Sequence, residues 1–103
     1  MKIVLIFENG TALYCDITKY TDVIEGRVIN GAWNFRYCRG KNIMVVLDLN
    51  IEYPAKLVAE VPYHKSVFRE WAAQNIEDYS HDTSQSYNEI IQWAKHVHET
   101  GAL

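Results

Sequence analysis

The sequence is poor in the residues that would staple a small protein together or break its chain. It holds two cysteines in 103 residues, with two prolines and five glycines. Two cysteines cannot build the dense disulfide framework on which small secreted domains depend. So little proline and glycine excludes a collagenous or low-complexity chain. No apolar run approaches the roughly 20 residues that a membrane-spanning helix needs. After Met1-Lys2, five apolar residues lead straight to Glu8. That run is too short for a signal peptide, so the expected compartment is the cytoplasm, where Cys15 and Cys38 stay free thiols inside strand-like runs. A disulfide between them would require their strands to be neighbours in register.

The local signatures of catalysis are missing too. There is no phosphate-binding loop, no nucleophile elbow, and neither a Cys-x-x-Cys nor a His-x-x-x-His spacing. His96 and His98 lie two apart on a predicted helix, about 200° apart around its axis, and cannot share one metal ion. Asp78, His81 and Asp82 have workable ligand spacing but fall in a polar turn, which reads as a solvated loop. No metal or cofactor is expected. What remains for an enzyme, a small hydrolase or nuclease, is a set drawn from His64, Glu60, Tyr63 and a distant arginine.

What the chain does have is aromatic and aliphatic bulk. Nearly half of its residues are hydrophobic and 13% are aromatic, including three Trp and seven Tyr. A chain of this size and composition folds as one domain with a real core. The net charge of -3 is too mild for an acidic mimic of DNA and gives no general support for nucleic-acid binding. The charge is uneven, however. Residues 51–103 carry eight acids against four Lys/Arg, whereas residues 1–50 are nearly balanced.

Two Asn-Gly pairs organise the first half. Asn30-Gly31 between strand-like runs predicts a hairpin with a two-residue type I′ turn. That turn sets Val28 opposite Trp33, Gly26 opposite Phe35, Ile24 opposite Tyr37 and Glu25 opposite Arg36. One face then carries Ile24, Val28, Trp33, Phe35 and Tyr37, which must be covered or must bind something. Asn9-Gly10 predicts a second hairpin, with Leu5 opposite Tyr14 and Ile6 opposite Leu13. Both of its faces are largely apolar, as for an interior strand pair or one that meets another chain. Ile43–Leu49 reads as a further strand, broken over Asn50–Pro54. Lys56–Val61 reads as a fifth or sixth strand, although Pro54 could equally open a helix.

From Ser66 the hydrophobic period lengthens. Phe68, Trp71, Ala72, Asn75, Ile76 and Tyr79 make one helical stripe; Tyr87, Ile90, Ile91, Ala94 and Val97 make another, opened by an Asp82/Gln85 capping box and closed at Gly101. The expectation is an α+β fold: a mostly antiparallel sheet of about five strands over residues 1–63, and two C-terminal helices over 66–101 packed on one face. That face should be the aromatic one, with Trp33, Phe35 and Tyr37 against Trp71 and Ile91.

For function, the residues favour a non-catalytic protein-binding module. Tyr20, Tyr53, Tyr63 and Trp93 fall off the predicted core stripes, where exposed aromatics act as interface anchors. Trp93 and Tyr79, with Glu77, Asp78 and Asp82, would present an acidic, aromatic surface to a basic protein partner or to a second copy. In size and charge, though in no motif, such a chain is comparable to immunity proteins that neutralise toxins and to phage-encoded inhibitors. The alternative is a nucleic-acid-binding accessory protein that uses Arg27, Arg36, Arg39 and Lys41 beside an aromatic platform.

Overall fold

A computed structural model describes residues 1–77 and 87–101. Its strands are β1 (Lys2–Phe7), β2 (Ala12–Tyr20), β3 (Val23–Val28), β4 (Trp33–Cys38), β5 (Ile43–Val46), β6 (Ile51–Pro54) and β7 (Leu57–Pro62), followed by helices α1 (Lys65–Asn75) and α2 (Tyr87–Thr100). The α+β expectation holds, but the sheet has seven strands rather than five, all paired antiparallel in the order β6-β5-β4-β3-β2-β1-β7. The segment Lys56–Val61 is strand, and Ile51–Pro54, expected as a break, is strand as well.

The β1–β6 part is a meander, and β6 and β7 are two halves of one extended stretch. Ala55 N–H still donates to Asn42 at the β5 side (2.8 Å), while Lys56 C=O already accepts Glu8 N–H at the β1 side (2.8 Å). The stretch therefore changes partner across a single peptide and curls the sheet into a barrel. The curl is visible in the packing. In a flat sheet β1 and β4 would stand three ladder steps, about 14 Å, apart. The Phe7 and Tyr37 rings are instead 5.5 Å apart, edge to face. The Tyr37 hydroxyl holds the crossover, donating to Ala55 C=O (2.8 Å) and accepting Leu57 N–H (3.0 Å).

Closure decides where the core lies. Side chains alternate across each strand, and the inward set (Leu5, Phe7, Cys15, Ile24, Phe35, Tyr37 and Met44 among it) fills the barrel. The aromatic face of the β3–β4 hairpin is thus covered by its own sheet. The helices do not sit on it. They pack on the outer side of β1, β2 and β7, where Val4, Ile6, Tyr14 and Val61 meet Phe68, Ala72, Ile90, Trp93, Ala94 and Val97 in a second core. The apolar run Ile3–Phe7 is explained: β1 is buried alternately in both cores.

Two register expectations separate instructively. In the β3–β4 hairpin every predicted pair from Ile24↔Tyr37 to Val28↔Trp33 is present. The turn, however, has four residues, with Ala32 N–H donating to Val28 C=O (2.8 Å) and positive φ at Ala32 (55°) instead of at Asn30-Gly31. Asn30 bonds to β2 instead. Its Oδ1 accepts Tyr14 N–H (3.1 Å), while Ile29 N–H donates to Tyr14 C=O (2.8 Å), extending the ladder to β2 beyond the end of β3. In the β1–β2 hairpin the register is one residue off the expected one, with Leu5↔Leu13 and Val4↔Tyr14. Gly10 N–H donates to Phe7 C=O and Gly10 takes φ 91°, so the loop is the three-residue kind with a left-handed glycine.

Cys15 points into the barrel and Cys38 outward, with β3 between their strands, so both are free thiols. No described helix is long and apolar enough to cross a membrane.

Candidate interaction surfaces

The helical surface loses its expected anchor. Trp93 is 1% exposed. Its indole meets the Tyr63 and Phe68 rings edge to face, at 6.0 and 6.1 Å. The helical stripe is Ile90, Trp93, Ala94 and Val97, the i, i+3, i+4, i+7 pattern with Trp93 inside it. Tyr63 is half-buried in the same cluster. Glu77 is exposed just beyond α1. Asp78, Tyr79 and Asp82, like His81 and Gln85, lie outside the described residues.

The basic hairpin residues do not gather. Arg36 and Glu25 form a cross-strand ion pair (3.3 Å), and Arg27 stands opposite Asp16 on one side and Asn34 on the other. Lys41 is exposed in the β4–β5 loop. Arg39, half-buried, is engaged by the chain itself. Its guanidinium makes a two-pronged contact with Glu60 (2.8 and 3.1 Å), donates to Thr21 C=O (3.1 Å) and lies 5.0 Å over the Tyr20 ring. Tyr20 O–H donates to the same carboxylate (2.6 Å). Glu60 is on β7 and Arg39 just past β4, about 19 Å apart in a flat sheet, so this cluster latches the barrel seam. The hydrogen bonds from Arg39 hold the Glu60 carboxyl below its usual range, and the same contact pushes Arg39 further up. Beside the latch is a hollow of about 500 Å³, into which Tyr37, Asn42 and Val58 also face.

The residual enzyme set is brought together only in part, Glu60 meeting a distant arginine in Arg39. Glu60 is in the seam latch, the Tyr63 ring packs among Tyr14, Phe68 and Trp93, and His64 is an exposed residue at the start of α1. Among the described residues no group of three His, Cys, Asp or Glu side chains could hold a metal ion.

The apolar surface that stands out lies at the opposite end of the meander, and sequence reasoning found only Tyr53 of its exposed strip. Leu47 (40% exposed), Leu49 (68%), Ile51 (50%) and Tyr53 (39%) follow one another at every second position through the β5–β6 loop and β6. With Trp33 and Val46 they rim the barrel, and Gly31, Trp33, Val46, Asp48 and Leu49 line an open hollow of about 440 Å³. Ile51 and Tyr53 are on the inward face, opposite Val46 and Met44, but β6 is an edge of the sheet and leaves both partly exposed. The loop is held firmly. Asp48 accepts both the backbone N–H (3.1 Å) and the side-chain amide (3.0 Å) of Asn34, Leu47 N–H donates to Asn34 C=O (3.0 Å), and Asn50 takes φ 51°. The Asn34 hydrogen bonds, aided by Arg27, lower the Asp48 carboxyl below its ordinary value. The signal was the alternation itself, which runs unbroken through the supposed break at Asn50.

Comparison with protein-family models, with curated proteins and with solved structures finds no match to this chain.

Proposed function

We propose that the protein is a non-catalytic protein-binding module, of the kind that inhibits or neutralises a protein partner, and that the partner meets the barrel rim at Trp33, Leu47, Leu49, Ile51 and Tyr53. The observation that carries this reading is the contiguous exposed apolar strip on a loop whose backbone is already clamped. Large apolar side chains grouped on a surface mark interaction sites, whereas scattered ones do not. A loop ordered beforehand by Asp48 and Asn34 loses little conformational freedom on binding. The rim replaces Trp93 as anchor; of the acidic set expected beside it Glu77 is exposed, and Asp78, Tyr79 and Asp82 lie outside the described residues.

The test is affinity capture with the tagged protein and with Leu49→Glu, each with and without nuclease. The expected result is one stoichiometric protein that survives nuclease and is lost with Leu49→Glu, whose thermal midpoint stays that of the parent because the side chain is exposed. Recovery that depends on nucleic acid would move the function to Arg27, Arg36 and Lys41. Recovery indifferent to Leu49→Glu would remove the rim.

A further inference from the structure

Strand β6 is the open edge of the sheet, and all four of its residues are exposed. The ladder phase shows which backbone groups are free. Ala55 N–H bonds Asn42 C=O, so Ala55, and by alternation Tyr53 and Ile51, turn their N–H and C=O toward β5. Glu52 turns both of its groups outward, and Pro54 turns out a carbonyl with no N–H beside it. The Glu52 side chain is on the outer face, next to Val45, and none of the described cations pairs with it.

A second copy of the chain fits this edge badly. Antiparallel self-pairing centred on Glu52 would set two glutamates directly opposite, a repulsive cross-strand pair. Shifting by two residues would set Pro54 opposite Glu52 and leave the Glu52 carbonyl without a donor. An extended segment of another protein fits well. Its central residue exchanges two hydrogen bonds with Glu52 and shares the outer face with that carboxylate. Its two flanking residues fall on the inner face beside Ile51 and Tyr53.

We infer that β6 receives an extended strand of a partner protein, paired antiparallel, with a Lys or Arg opposite Glu52 and apolar residues on either side of it. This is recognition by strand addition, in which the main chain supplies affinity and alternate side chains supply selectivity. The inference rests on the binding reading above and names the chemistry of the bound segment.

The probes are two labelled peptides, Thr-Val-Lys-Val-Thr and Thr-Val-Glu-Val-Thr, titrated into the 15N-labelled protein at low salt. The lysine peptide is expected to shift the amide resonances of Ile51, Glu52 and Tyr53 and to bind about threefold more tightly than the glutamate peptide, in line with a single cross-strand charge pair. Glu52→Lys should reverse that preference. Glu52→Pro removes the outward N–H together with the carboxylate, at a place where an edge strand tolerates proline; it should keep the parent spectrum elsewhere and lose both peptides, the glutamate one included, because the main-chain pairing is gone. Shifts confined to Leu47 and Leu49, or binding that survives Glu52→Pro, would overturn strand addition while leaving the rim itself in place. Concentration-dependent self-association abolished by Glu52→Pro would overturn it in favour of a second copy. The two readings fail separately, because capture lost with Leu49→Glu but kept with Glu52→Pro sinks only this one.

Discussion

Replacing Gly26 by alanine tests the barrel at its tightest point. Gly26 lies between Ile17 of β2 and Phe35 of β4. A Cβ there would fall within contact distance of the Asp16 carbonyl oxygen and 3.0 Å from Ile17 Cα. Both obstacles are backbone, so no rotamer change relieves them. The strands must part beside the β2 irregularity between Ile17 and Lys19. Overpacking of this kind costs about 1–3 kcal/mol, and a weakened ladder hydrogen bond adds about 1 kcal/mol. A total near 3 kcal/mol lowers the thermal midpoint of a domain this size by about 12–24 °C. Gly40→Ala is the control, since a Cβ at Gly40 meets nothing within 4 Å. Thermal unfolding followed by far-ultraviolet circular dichroism reads both variants. A Gly26→Ala midpoint equal to that of Gly40→Ala would refute the close approach of β2 and β3 and the curvature built on it.

Trp93→Ala should cost about 3–5 kcal/mol, because it empties a site at the centre of the helix-side core; an unchanged urea midpoint would return Trp93 to the surface. The Arg39–Glu60 latch predicts a pH signature. Glu60 has a lowered native pKa, so its contribution is present above the unfolded carboxylate range, near pH 4.5, and fades as pH falls through the native value. Glu60→Gln should be less stable at neutral pH and lose less stability on acidification than the parent; parallel pH profiles would exclude the latch. In native buffer a thiol reagent should modify Cys38 and spare Cys15, which is fully buried and whose thiol is pushed up to about 12 by burial; equal rates would contradict the inward placement of Cys15.

What the sequence made legible was local. Strand alternation placed Ile24, Val28, Phe35 and Tyr37 on one buried face, and the change of period at Ser66 marked the helical layer. Register followed where loop length preserved pairing parity. A four-residue loop gives the β3–β4 hairpin the register of the expected two-residue turn, whereas the three-residue loop after Phe7 shifts β2 by one. What could not be read was closure. The partner change at Ala55–Lys56 brings together residues more than 40 apart, and no periodicity reports that. Without closure, the helices looked like the only cover for Phe35 and Tyr37, and Trp93 looked spare. Of the rim, Tyr53 was legible as an exposed aromatic, whereas Leu47, Leu49 and Ile51 do not stand out until β6 proves to be an edge.

The double burial of β1 also governs how the chain reaches its native state. The elements that cover strand Lys2–Phe7, Leu57–Pro62 and the helix Tyr87–Thr100, are made some 50 to 90 residues after it. Until then, one edge and one whole face of an Ile-Val-Leu-Ile-Phe run stay open to other chains. Such long-range pairing is slow to form, and in a nascent or truncated chain the run is a nucleus for aggregation. A chain stopped before Leu57 would therefore be insoluble rather than simply less stable.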